Sequence, residues 1–83
     1  MLIGNLEFID NLDRDRPSEI VCHSNGSKFT ILWFKKDSEG YKIESVGDRI
    51  FLDTFDHEHL WQLMQYGMKV LNARQTLLER TGN

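Results

Sequence analysis

The stretch Glu19-Ile20-Val21-Cys22-His23-Ser24-Asn25-Gly26-Ser27-Lys28-Phe29-Thr30-Ile31-Leu32-Trp33-Phe34 decides how this chain folds. Two runs rich in β-branched and aromatic residues meet across Asn25-Gly26. That pair favours a two-residue type I′ hairpin, because both central residues need positive φ. So short a loop fixes register: Ser24 is expected to face Ser27, Cys22 to face Phe29, and Ile20 to face Ile31. With a side-chain period of two, Trp33 joins these on one face. Val21, His23, Thr30, Leu32 and Phe34 take the other. Only Thr30 interrupts the apolar run from Phe29 to Phe34. A strand covered on one side alternates, so the second run is expected to be central, with part of its other face covered too.

Working outward, residues 2–9 carry Leu2, Leu6 and Phe8 on one parity and read as a strand, with Gly4 as an interruption. Residues 10–18 are polar, contain Pro17 and read as a loop. On the other side, Asp37-Ser38-Glu39-Gly40 makes a turn into a strand over 41–46, and Gly47-Asp48 turns into a short strand over 49–52. The register of the 37–40 turn stays open at this point. A four-residue loop pairs Phe34 with Ile43, whereas a three-residue bulged loop pairs Phe34 with Glu44.

From Asp53 the period changes. Asp53, Thr54 and Asp56 are competent N-caps and Glu58 suits a first turn. Leu60, Leu63, Met64, Gly67, Val70, Leu71, Leu77 and Leu78 recur at the spacing of one helical face, with Trp61 and Met68 on its flank. At about 100° per residue the apolar arc spans roughly 200°, wider than one surface helix needs. Gly82 suits the C-terminal stop. These elements predict an α+β fold, a small antiparallel β-meander of four to five strands packed against one long C-terminal α-helix. The chain reads as a single domain over 1–83, with the sheet and the 10–18 loop in 1–54 and the helix over 55–81.

Composition narrows the function. Eighty-three residues with a net charge of −3 suit one small domain. They are too few for a doubly wound nucleotide-binding domain. A sequence pI near 5.5 lacks the basic footprint of a duplex-DNA binder. No run approaches the roughly 18 apolar residues of a membrane span and no signal peptide opens the chain, so no membrane role and a cytoplasmic location are expected. A single cysteine excludes an internal disulfide. Charge is unevenly spread: Asp10, Asp13, Asp15 and Glu19 fall together with Arg14 and Arg16 between them, while Lys28, Lys35, Lys36 and Lys42 gather in the middle. Two solvated surfaces are the plain reading of this pattern.

The chemical candidates separate on spacing. His57 and His59 point about 200° apart on a helix and cannot hold one ion from the same face. Cys22 and His23 are strand neighbours facing opposite ways. No metal site is expected. Cys22 falls beside Phe29 on the core face, where a lone cysteine acts as a small hydrophobe. No nucleophile elbow, phosphate loop or spaced carboxylate pair is present, so neither catalysis nor a cofactor is expected. Lys28, Phe34, Lys35, Lys36, Tyr41 and Lys42 interleave lysines with aromatics on adjacent strands. A sheet stacks bases and neutralises phosphates in this way, and lysines at a strand end also block edge pairing. Val21, Leu32, Phe34, Trp61 and Met68 form surplus apolar surface, expected to bury against a second copy or a protein partner.

Together these features predict a non-enzymatic binding protein that occupies a protein partner or sequesters a small ligand, as a homodimer or higher oligomer. The alternative is binding of single-stranded nucleic acid or a nucleotide through the lysine and aromatic surface, and a minimal enzyme without a recognisable motif comes third. In size and lack of catalytic motifs the chain resembles the small accessory proteins encoded by phages and mobile elements. That resemblance implies a stoichiometric inhibitor or a ligand sequesterer.

Overall fold

The computed structural model describes residues 1–11, 15–46 and 55–81. Five antiparallel strands, β1 (Leu2–Ile3), β2 (Leu6–Ile9), β3 (Ser18–Ser24), β4 (Ser27–Asp37) and β5 (Gly40–Ser45), pair in sequence order, and one helix, α1 (His57–Thr81), packs across the sheet. This is the α+β meander with a long C-terminal helix that the patterning predicts. The expected Gly47-Asp48 turn, the 49–52 strand, the Gly82 stop and the charges of Asp13 and Arg14 lie outside the described residues.

Turn chemistry explains the strand ends. Asn25 and Gly26 have φ of 50° and 78°, as a type I′ turn requires, and Ser24 pairs with Ser27. Asp37 pairs with Gly40 and Phe34 with Ile43, which settles the open register in favour of the four-residue turn. The expected single strand over 2–9 divides in two. Gly4 adopts a φ of 58°, so the chain reverses and Ile3 pairs with Leu6. The helix begins two residues later than expected because Asp56 caps it. Its Oδ1 accepts from the backbone N–H of Glu58 (2.8 Å) and of His59 (3.4 Å).

The main correction concerns the faces of β4. Pairing runs as expected from Ser24–Ser27 to Val21–Thr30, but Ile20 then pairs with Leu32. Ile31 is the extra residue of a β-bulge, and the parity reverses beyond it. Leu32 and Phe34 therefore face the helix with Ile20 and Cys22, while Trp33 moves to the opposite face across from Glu19. Strict alternation would expose either Ile31 or the pair Leu32 and Phe34. The bulge lets all three be buried, which is where its stabilisation lies.

Helix and sheet meet closely at Gly67, which lies against the rings of Phe34 and Phe8. Those two rings pack edge to face at 5.4 Å. Leu6, Ile20, Cys22, Ile31, Leu32, Phe55, Leu63 and Leu71 join them in the buried core, with Leu60, Met64 and Met68 packed on its margin.

Candidate functional site

The pairing register creates the site. β3 begins at Ser18, opposite Phe34, whereas β4 continues through Lys35, Lys36 and Asp37 with only β5 beside it. Where β3 would have continued lie Asn11 and residues 15–17, and α1 contributes Leu71 and Arg74. A cleft of about 500 Å³ opens between them. Asn11, Asp15, Arg16, Pro17 and Ser18 form one wall, Lys35, Lys36 and Tyr41 the other, and Phe34, Leu71 and Arg74 the back.

A buried carboxylate holds the loop wall. Glu19 is only 5% exposed, although the sequence reading placed it on a solvated acidic surface. It accepts hydrogen bonds from Asn11 Nδ2 (2.8 Å), Arg16 Nη2 (2.9 Å) and Thr30 Oγ1 (2.7 Å). Three donors answer the desolvation of the charge. Asn11 donates its second amide proton to the Pro17 carbonyl at 2.7 Å, and its backbone N–H to Ser18 Oγ at 3.2 Å. The Arg74 guanidinium grips the Asp10 carboxylate through both of its terminal nitrogens, tying the loop to the helix. Arg16 also lies over the Trp33 ring, 5.4 Å from its centre.

The structure brings together four of the six residues read as a ligand surface: Phe34, Lys35, Lys36 and Tyr41. Phe34 enters as a core residue, 1% exposed beneath Gly67, and has no open face on which a base could stack. Lys36 and Tyr41 are cross-strand partners, with the ammonium 6.0 Å from the ring centre. Lys35 points to the opposite face, where its Nζ donates to Glu44 Oε1 at 3.0 Å. The other two lysines stand apart. Lys28 pairs with His23 near the far end of β4, about 23 Å from Lys35 at the usual rise of a strand. Lys42 is engaged at the hairpin tip by Asp37 (2.9 Å) and Glu39 (3.3 Å). The hydrogen bond from Lys42 holds the Asp37 carboxyl below the usual range, helped by the Glu39 N–H, and the same contact raises Lys42.

The residues read as an oligomer surface also separate. Leu32 and Phe34 are core residues because of the bulge, and Val21 is 2% exposed between Glu7 and Thr30. Met68 is half-buried at the core margin. Trp61 is 59% exposed and is what remains of that surface.

Asn11, Arg16, Ser18, Leu71 and Arg74 were missed by sequence reasoning. The only local signal for them was the polar loop around Pro17, and Arg74 lies 64 residues from its partner Asp10. Among the described residues no group of three or more histidine, cysteine or acidic side chains could hold a metal ion, and no helix is long and apolar enough to cross a membrane. No family model, curated protein or solved structure matches this chain.

Proposed function

We propose that this protein is a stoichiometric binding protein that sequesters a small molecule in the cleft between Asn11 and residues 15–18, the β4–β5 hairpin and α1. The observation that carries this reading is the cleft itself. A volume of about 500 Å³ falls within the range of small-molecule sites, about 300–1,000 Å³. Pro17, Phe34 and Leu71 supply its apolar surface, and the polar side chains around them supply groups that fix a ligand's orientation. The loop wall is preorganised by Glu19, which lowers the ordering cost of binding. The reading requires no turnover.

The test is a titration of isotope-labelled protein with a library of small fragments, followed by backbone amide shifts. Saturable shifts clustered on Asn11, Ser18, Tyr41 and Leu71 are expected. Fragments that bind elsewhere, or nowhere, would remove the basis for the reading.

Self-association is a second reading, favoured by the exposure of Trp61 on the flank of α1. A second copy covering this indole would remove a large apolar surface from water. Sedimentation equilibrium at micromolar concentration is expected to report more than 9.8 kDa, and Trp61→Ser to return the protein to monomer. Monomeric wild-type protein would dispose of this reading and leave the cleft untouched.

A further inference from the structure

We propose that the ligand of this cleft carries a phosphate group on a compact, mononucleotide-sized body, with the phosphate received by Lys36 and Tyr41 opposite Arg16 and Arg74. This rests on the reading of the cleft as a ligand site and adds the chemistry of what enters it.

Charge is the first support. The chain carries a net charge of −3, yet among the described residues that line the cleft Arg16, Lys35, Lys36 and Arg74 are cationic and Asp15 alone is acidic, with the Lys35 ammonium turned to the opposite face. The cations differ in what engages them. Arg16 is paired with Glu19, Lys35 with Glu44 and Arg74 with Asp10. Among the described residues Lys36 pairs with no carboxylate, and its contact is the Tyr41 ring. An ammonium held over an aromatic face retains its three donors for an incoming anion. The Tyr41 hydroxyl donates to no described protein acceptor and lines the same wall.

Geometry is the second support. The two arginines are fixed by their own carboxylates, Arg16 through one terminal nitrogen and Arg74 through two. A guanidinium carries five donors in a planar fork, and Arg16 directs one terminal nitrogen at Glu19. Arginine suits phosphate because that fork matches its oxygens. An anion entering the cleft competes with Asp10 for Arg74, so binding is expected to loosen the loop from the helix. The apolar body would lie along Pro17 and Leu71. A nucleotide and the end of a single strand share this chemistry. The volume and the acidic chain favour the small molecule.

The probes are inorganic phosphate, adenosine 5′-monophosphate, adenosine and a ten-nucleotide oligothymidylate, each followed by backbone amide shifts at low salt. Phosphate and the monophosphate are expected to move the Arg16, Lys36 and Tyr41 amides. The monophosphate should bind at least tenfold more tightly than adenosine and weaken when salt is raised. Lys36→Gln should lower its affinity at least fivefold while the amides of α1 away from the cleft stay in place. Equal affinity for adenosine and its monophosphate, or an unchanged Lys36→Gln variant, would overturn the phosphate seat. If adenosine or neutral fragments saturate the cleft while both phosphates leave it unmoved, the ligand cleft stands and this inference fails. If no probe or fragment moves those amides, both readings fail. Tighter binding of the oligothymidylate, with shifts spreading to Lys35 and Lys42, would replace the small molecule by a strand.

Discussion

Gly67 lies so close to the Phe34 ring that a β-carbon on it would approach Phe34 Cζ to 2.6 Å and Phe8 Cε2 to 2.9 Å. A glycine inside a helix costs about 1 kcal/mol relative to alanine, so its position here is explained by packing. The sequence places Gly67 on the apolar stripe of α1, and the sheet packs against it there.

Gly67→Ala is therefore expected to lower stability in spite of alanine's better helix propensity. Overpacking a filled core costs about 1–3 kcal/mol, which outweighs the propensity gain. Urea denaturation measures the difference. A more stable variant would show that the helix does not rest on Phe34 at this point.

Leu71 and Ile31 are both buried in the core cluster, as the helical stripe and the central strand predict. Leu71→Ala or Ile31→Ala should cost roughly 2–5 kcal/mol, much of what a domain this small has. An unchanged melting temperature for Leu71→Ala would contradict the docking of α1.

Glu19→Ala would leave Asn11 Nδ2 and Thr30 Oγ1 without their carboxylate acceptor. Orphaning buried donors costs about 1–3 kcal/mol. Beyond this loss, amide exchange at Asn11 should accelerate more than exchange in α1, because Glu19 ties Asn11 and Arg16 to the sheet. Uniform acceleration would mean that Glu19 supports the whole fold rather than that wall.

Cys22 is fully buried, burial pushes its thiol pKa up, and Asn5 Nδ2 sits 3.5 Å from its sulfur. Reaction with a thiol reagent at neutral pH is expected to be negligible in the native protein and rapid in denaturant. Fast labelling of native protein would show that β2 and β3 open readily.

Lys42→Gln should raise the Asp37 pKa towards the ordinary carboxylate value, since the Lys42 hydrogen bond is the main cause of its depression. A carboxyl carbon titration by NMR reads this directly. A depressed folded-state pKa contributes stability that is present above the unfolded value and lost as pH falls through the folded one. Both side chains are exposed, so the variant should unfold at the wild-type denaturant concentration. An unmoved Asp37 titration would mean that the backbone N–H groups of Glu39 and Gly40 depress it without Lys42.

What the sequence by itself determined was short in range. The Asn25-Gly26 turn, the capping of α1 near Asp56 and the apolar period of the helix each depend on residues a few positions apart, where φ preferences and side-chain direction settle the outcome. Lys36 and Tyr41 were legible as neighbours because one tight turn sets their pairing. Tertiary structure alone decided the parity of β4 past Ile31, because burying Ile31, Leu32 and Phe34 together requires a bulge that no local pattern encodes. It alone buried Glu19 under Asn11, Arg16 and Thr30 and joined Asp10 to Arg74 across most of the chain. The cleft exists because β3 starts three residues short of the end of β4. Such a mismatch between strand ends becomes a site only when a loop and a helix close around it.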